Sequence, residues 1–126
     1  MIYGIGTDLV DIQRIKKMKS LSAFAKKILG DQELEQYAEL TDGPNQYYLG
    51  KQFAGKEAFV KALGTGFKHP IFPKDIQILR NADGKPEILL SADAKSYVED
   101  LGITKSHVSL ADESNHLLAF AVLENE

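Results

Sequence analysis

The stretch FAGKEAFVKALGTG, residues 53–66, places three charged side chains, Lys56, Glu57 and Lys61, in an otherwise small or apolar run. A buried ion without a partner costs several kcal/mol, so these charges need company. In a helix Glu57 and Lys61 lie four apart on one face, with Lys56 turned about 100° away. An ordinary ion pair between Glu57 and Lys61 would satisfy that spacing. The alternative takes in the residues that follow: Gly64, Thr65 and Gly66 end the helix and offer backbone amides and a hydroxyl to a phosphate. One lysine, one carboxylate and a Gly-Thr-Gly loop suit a phosphate and Mg²⁺ site, because Mg²⁺ takes one or two carboxylates together with substrate phosphates. The order of lysine and glycines is not that of a Walker sequence.

A second carboxylate for such a metal should come from a rigid element, and Asp8 qualifies. Residues 2–10 alternate as a strand, with Tyr3, Ile5, Thr7 and Leu9 on one side and Gly4, Gly6, Asp8 and Val10 on the other. The second side is stripped of side chains, leaving room for a ligand against bare backbone. Asp11 is the better placed helix cap, so Asp8 has no structural duty. On the 53–66 helix, Ala54, Gly55, Ala58 and Ala62 form a face of small residues that lets another backbone approach closely.

These residues are positioned by a series of predicted elements. Asp11 caps a short helix to about Met18 with Ile12 and Ile15 inward, a second helix covers 21–29, and Asp31 caps a third to about Leu40. A loop over 41–45 precedes a long helix, 46–63, that is apolar nearly all round and therefore buried, in part between subunits. Strands follow near 76–80 and 87–90 around the turn NADGKP, then a helix over 92–101 capped by Ser91. Strands at 107–110 and 117–123 flank the polar turn ADESN. Helices early and strands late give an α+β class with an antiparallel sheet, and 126 residues suit a single domain over 1–126.

Composition narrows the function. The chain has no cysteine, which excludes disulfides, thiolate metal sites and a cysteine nucleophile. No apolar run reaches the roughly 20 residues of a membrane span, and the N-terminus lacks a signal peptide, so a soluble cytoplasmic protein is expected. Net charge is −3, which gives no global reason to expect nucleic acid as a partner. The charge is segregated, however. Residues 12–30 hold six basic and no acidic side chains, and 31–50 hold five acidic and no basic ones. The first segment, with Arg14, Lys17 and Lys26, suits docking of an acidic partner. His107 has no zinc-ligand spacing and Ser109 no nucleophile-elbow context.

Three motifs in this order, GIGTDLVDIQRI (4–15), FAGKEAFVKALGTG and HVSLADE (107–113), resemble the holo-[acyl-carrier-protein] synthase family, the small single-domain class of 4′-phosphopantetheinyl transferases. The likeness spans essentially the whole chain and includes DGKPEILL. It implies the 4′-phosphopantetheinyl transferase fold and Mg²⁺-dependent transfer of 4′-phosphopantetheine from coenzyme A to a serine of an acidic acyl carrier protein of fatty acid biosynthesis, releasing 3′,5′-ADP. By the resemblance, Asp8 and Glu57 hold the metal, and Glu57 and Lys61 serve catalysis. Lys56, Lys61, Gly64, Thr65, Gly66 and His107 bind coenzyme A, and the family is a homotrimer with active sites between subunits. One departure is Gln52, where the family usually carries an arginine. It leaves open a non-catalytic carrier- or nucleotide-binding member of the same fold as the alternative.

Overall fold

The computed structural model describes residues 1–40 and 45–126, so the loop expected over 41–45 falls, through 44, outside the described residues. Strand β1 (Ile2–Asp11) runs into three short helices, α1 (Ile12–Lys16), α2 (Leu21–Ile28) and α3 (Asp31–Ala38), and then the long α4 (Gln46–Leu63). After a 3-10 turn at Pro73–Asp75 come β2 (Ile76–Arg80), β3 (Pro86–Leu90), α5 (Ala92–Asp100), β4 (Ile103–Glu113) and β5 (His116–Asn125). The strands form an antiparallel sheet in the order β1-β5-β4 and a separate β2-β3 hairpin. The α+β class and antiparallel pairing are as the sequence implies.

Local chemistry explains most boundaries. Asp11 and Ser91 cap α1 and α5 as expected, accepting from the amides of Gln13 and Ala94, and Ile12 and Ile15 are buried. Asp31 is not a cap: Gly30 holds that position, and Asp31 opens the first turn of α3, where a carboxylate meets the positive end of the helix. The last two strands are longer than the apolar pattern suggests. Pairing continues to Glu113 opposite His116, so Ala111, Asp112 and Glu113 belong to β4 and only Ser114 and Asn115 turn. Among the described residues no helix is long and apolar enough to cross a membrane.

The helix α4 lies across the sheet. Its small face, Ala54, Ala58 and Ala62, is fully or almost fully buried, and its partner backbone is β1 of the same chain. A methyl group added at Gly4 would collide with the carbonyl oxygen of Ala62, and one at Gly6 with that of Ala58. The bare side of β1 is therefore covered by α4 and does not receive a ligand. This corrects the expectation that the glycine face was open to a ligand, while the close backbone approach expected at the alanine face is made by β1. Close packing of this kind fixes helix and strand with little freedom to adjust.

The opposite side of the sheet is apolar and uncovered. Ile5 and Leu9 are 59% and 61% exposed on β1, and Leu118 and Phe120 are 43% and 42% exposed on β5. Registered pairs Leu9–Leu118 and Thr7–Phe120 join these residues into one patch.

Candidate active site

Asp8 lies on the α4 side of β1, just past the glycines, and the close approach at Gly6 brings the last turns of α4 beside it. Lys61 bridges the two elements: its ammonium donates to Asp8 Oδ1 at 3.0 Å and to the Thr7 carbonyl at 3.1 Å. The Lys61 side chain is 52% exposed and that of Asp8 14%, so the pair sits at the rim of the packed interface. The pair foreseen between Glu57 and Lys61 is thus replaced by one between Asp8 and Lys61. Glu57 has no hydrogen bond or ion pair among the described residues. Its carboxyl is pushed up from the ordinary range, first by partial burial and then by the Asp8 charge, against the opposing pull of Lys61 and Arg14. Asp8, Glu57, Lys61 and Arg14 therefore share one neighbourhood.

Two carboxylates whose charges oppose each other are relieved by a cation. Among the described residues no group of three or more metal-ligating side chains gathers anywhere, so Asp8 and Glu57 could provide a site of only two protein ligands. Such a site suits Mg²⁺ that takes its remaining ligands from phosphate and water. The donor set fits.

Gly64, Thr65 and Gly66 follow directly. Gly64 and Gly66 have φ of 82° and 68°, left-handed conformations that favour glycine. The Gly64 and Thr65 amides both donate to the Val60 carbonyl, closing α4, so only the Gly66 amide is left without a backbone acceptor among the described residues. The Thr65 hydroxyl donates to the Gly66 carbonyl at 2.9 Å. A helix C-terminus is the negative end of its dipole, and the loop on its own is a poor anion site. Lys61, in the last turn, supplies the missing positive charge.

Lys56 is placed elsewhere. Its ammonium is fully buried and donates to Glu33 Oε1 at 2.7 Å, the Pro73 carbonyl at 2.8 Å and the Ile76 carbonyl at 2.5 Å. An ammonium has three hydrogens, and all three are engaged. Burial pulls its pKa down while Glu33 opposes that fall. The expectation that Lys56 contacts coenzyme A is thereby corrected: it faces α3 and the hairpin, about 100° around the helix from Glu57. Gln52, one turn earlier, is also buried, donating to Glu33 Oε2 at 2.6 Å and the Ile78 carbonyl at 2.7 Å. The residue that departs from the family pattern thus belongs to the interior of this chain.

His107 falls on the uncovered face of the sheet, opposite Val122, and contacts Glu124. Asp8 is on the other face and two strands away, so one chain does not unite His107 with the carboxylates. Lys85 and His107 line one cleft of about 220 Å³ between β3 and β4. Lys85 was missed in the sequence because NADGKP reads simply as a turn. Arg14, Lys17 and Lys26 are all exposed. Since α1 leaves the end of β1, Arg14 lies beside Glu57, which charge segregation alone could not reveal.

Residues 4–121 match the model of the family described as 4′-phosphopantetheinyl transferase superfamily. The chain belongs to that superfamily. A relative named holo-[acyl-carrier-protein] synthase from Thiobacillus denitrificans is 42% identical over 126 residues, covering 98% of this chain and 95% of its own. The crystal structure of holo-[acyl-carrier-protein] synthase from Neisseria meningitidis superposes with a TM-score of 0.92 at 41% identity, covering 99% of this chain and 100% of that one. One from Bacillus anthracis, in complex with CoA (3′,5′-ADP), gives 0.83 at 30% identity over 100% and 99%. The transferase fold expected from the motifs is the fold observed.

In this superfamily member the Glu33–Lys56 pair makes a prediction of its own. Lys56→Met strands a buried carboxylate and should cost about 3–5 kcal/mol in urea unfolding. Glu33→Gln should also destabilise, and the double variant should lose clearly less than the sum of the two. Additive losses would show that the two charges are not coupled.

Proposed function

We propose that the chain transfers the 4′-phosphopantetheine arm of coenzyme A to a serine of an acidic acyl carrier protein, releasing 3′,5′-ADP. The observation that carries this reading is the meeting of Asp8, Glu57 and Lys61 at the rim of the α4–β1 contact, in a chain of this superfamily. Asp8 and Glu57 would hold Mg²⁺, which when bound neutralises pyrophosphate charge and helps to align it. Lys61 is exposed enough to turn from Asp8 to a phosphoryl oxygen, where its charge would stabilise the transferring group or the leaving phosphate. The serine oxygen, giving up its proton to water, forms the new bond to the β-phosphorus as the bond to the departing 3′,5′-ADP breaks. The Gly66 amide and the Thr65 turn would border the phosphates. Lys56 takes no part in binding. We assign the proposed transfer to the cytoplasm and to fatty acid biosynthesis.

Homotrimeric assembly completes the reading. The uncovered apolar face of the β1-β5-β4 sheet would pack against neighbouring copies, since patches of this kind mark interaction surfaces. His107 and Lys85, at the far side of the sheet, would then meet the nucleotide end of a donor held by a neighbour's Asp8 and Glu57.

The direct test is the intact mass of an apo acyl carrier protein incubated with this chain, coenzyme A and Mg²⁺. A phosphopantetheine adduct should form, vanish with EDTA, and form at least ~100-fold more slowly with Glu57→Gln. No adduct, or one indifferent to EDTA, would overturn the reading. Charge reversal at Arg14 and Lys17 should weaken carrier binding about 10-fold and flatten its salt dependence. Unchanged affinity at all salt concentrations would remove the docking assignment. By light scattering the chain should be trimeric and Phe120→Glu monomeric and inactive, whereas an active monomer would refute a site shared between subunits.

A further inference from the structure

Lys56 and Glu57 are neighbours on α4 with opposite surroundings, and the buried one is built to a degree that mere packing does not require. Both oxygens of Glu33 are saturated: Oε1 accepts from the Gly30 amide and Lys56, Oε2 from Gln52 and the Ile78 amide. Lys56 in turn grips the carbonyls of Pro73 and Ile76. Five segments thus converge on one point: the turn before α3, α3 itself, α4, the 3-10 turn and β2.

Two of these attachments bear on the chemistry. On its other side α4 is pinned to β1 by the contacts at Gly4 and Gly6. Those contacts and the buried apolar side chains of α4 hold the helix against the sheet by close packing. Lys56 and Gln52 add a directional restraint on its rotation from the other side, because their polar tips are committed to fixed backbone carbonyls and to Glu33. A helix with side chains is about 5–6 Å in radius, so a turn of ~10° would move the Glu57 carboxylate by ~1 Å relative to Asp8. The second attachment concerns the glycine loop. It leaves α4 at Gly64 and ends at the 3-10 turn, where the Pro73 carbonyl is drawn back to the same helix by Lys56. One lysine closes the loop that borders the proposed phosphate site.

We infer that Lys56, with Glu33 and Gln52, is a positioning clamp that aims Glu57 at Asp8 and closes the 64–72 loop, and that it acts through backbone and helix orientation without touching substrate. This inference rests on the function proposed above. The clamp sets how well the two carboxylates share a cation and leaves recognition of coenzyme A and carrier to other residues. Its signature is therefore in turnover and divalent-cation affinity, with the Michaelis constants for both substrates little changed.

The test compares wild type with Glu33→Gln, Lys56→Met and the double variant, each checked for folding by circular dichroism. Glu33→Gln keeps the size and an acceptor for Lys56 and is the mildest of the three. Two readouts are taken: Mg²⁺ affinity of the coenzyme A complex by calorimetry, and kcat and KM in carrier modification. Lys56→Met should weaken Mg²⁺ binding about 10-fold, as loss of a supporting contact does, and lower kcat ~10- to 100-fold. Glu33→Gln should shift both in the same direction by a smaller factor, and KM for coenzyme A should stay within about twofold. The double variant, more stable than Lys56→Met, should recover neither. A folded variant with wild-type kcat and Mg²⁺ affinity would reduce the clamp to a stability device. A raised KM for coenzyme A at unchanged kcat would return Lys56 to the phosphates. Failure of wild type to modify the carrier would instead reject the proposed function, and the calorimetric comparison would still judge the clamp.

Discussion

A single buried carboxylate organises this molecule. Glu33 accepts four hydrogen bonds from Gly30, Gln52, Lys56 and Ile78, which is the full capacity of an ionised carboxylate. Removing two ions from water costs several kcal/mol each, and attraction between them repays that only when the remaining donors and acceptors are also matched. Here they nearly are. The exception in the cluster is Gln52 Oε1, which has no partner among the described residues. Outside the cluster, α3 and the β2-β3 hairpin meet α4 through apolar contact and through Tyr48, whose hydroxyl donates to the Glu33 carbonyl at 3.4 Å and whose ring lies under Arg80, and burial is non-directional. The ionic cluster supplies register where hydrophobic packing supplies cohesion.

That division explains what the sequence disclosed and what it concealed. Short-range patterns were legible: the alternation of β1, the caps at Asp11 and Ser91, the end of α4 at Gly64, and the all-round burial of α4. The meaning of the bare glycine and alanine faces was half legible. Each signalled close approach of a backbone, yet neither names the partner, and the simplest pairing, with each other, joins segments about fifty residues apart. Lys56 was misread for the same reason. Its partner Glu33 lies 23 residues away, in a helix whose other carboxylates face solvent. No local spacing separates a lysine that meets a distant carboxylate from one that meets a phosphate. A hint existed in the pattern: Gln52 and Lys56 are one turn apart on a helix that is otherwise apolar on that side.

The strand β1 presents the candidate site and the candidate interface on its two faces because side chains alternate with period two. Asp8 points with Gly4 and Gly6 toward α4, while Tyr3, Ile5, Thr7 and Leu9 point to the uncovered side. A register slip of one residue would exchange the carboxylate for an apolar side chain, so packing at the glycines also selects which face Asp8 occupies. The candidate site and the candidate interface are for that reason set by one pairing, β1 with β5. His107 follows the same rule on β4. Its position in HVSLADE places it on the outer face, a consequence of strand parity that motif order alone does not express.

Two lysines on one helix, five residues apart, show how burial assigns the role of a charge. Lys56 has exchanged all of its water for Glu33 and two carbonyls, and releasing it would strand ions in a dry interior. Lys61 pairs with Asp8 at a similar distance, but about half of its side chain remains in solvent. With its lysine half in solvent, the pair is far more weakly held than the buried one of Lys56. It can give way to a cation on Asp8 and a phosphate at Lys61 with little cost to the fold, since water and the incoming charges satisfy both groups. A pair that could not open would block the site, and one that opened in the core would loosen α4. In the proposed transfer the locked lysine is turned inward and the releasable one outward, and that difference lies in their positions around α4, not in their chemistry.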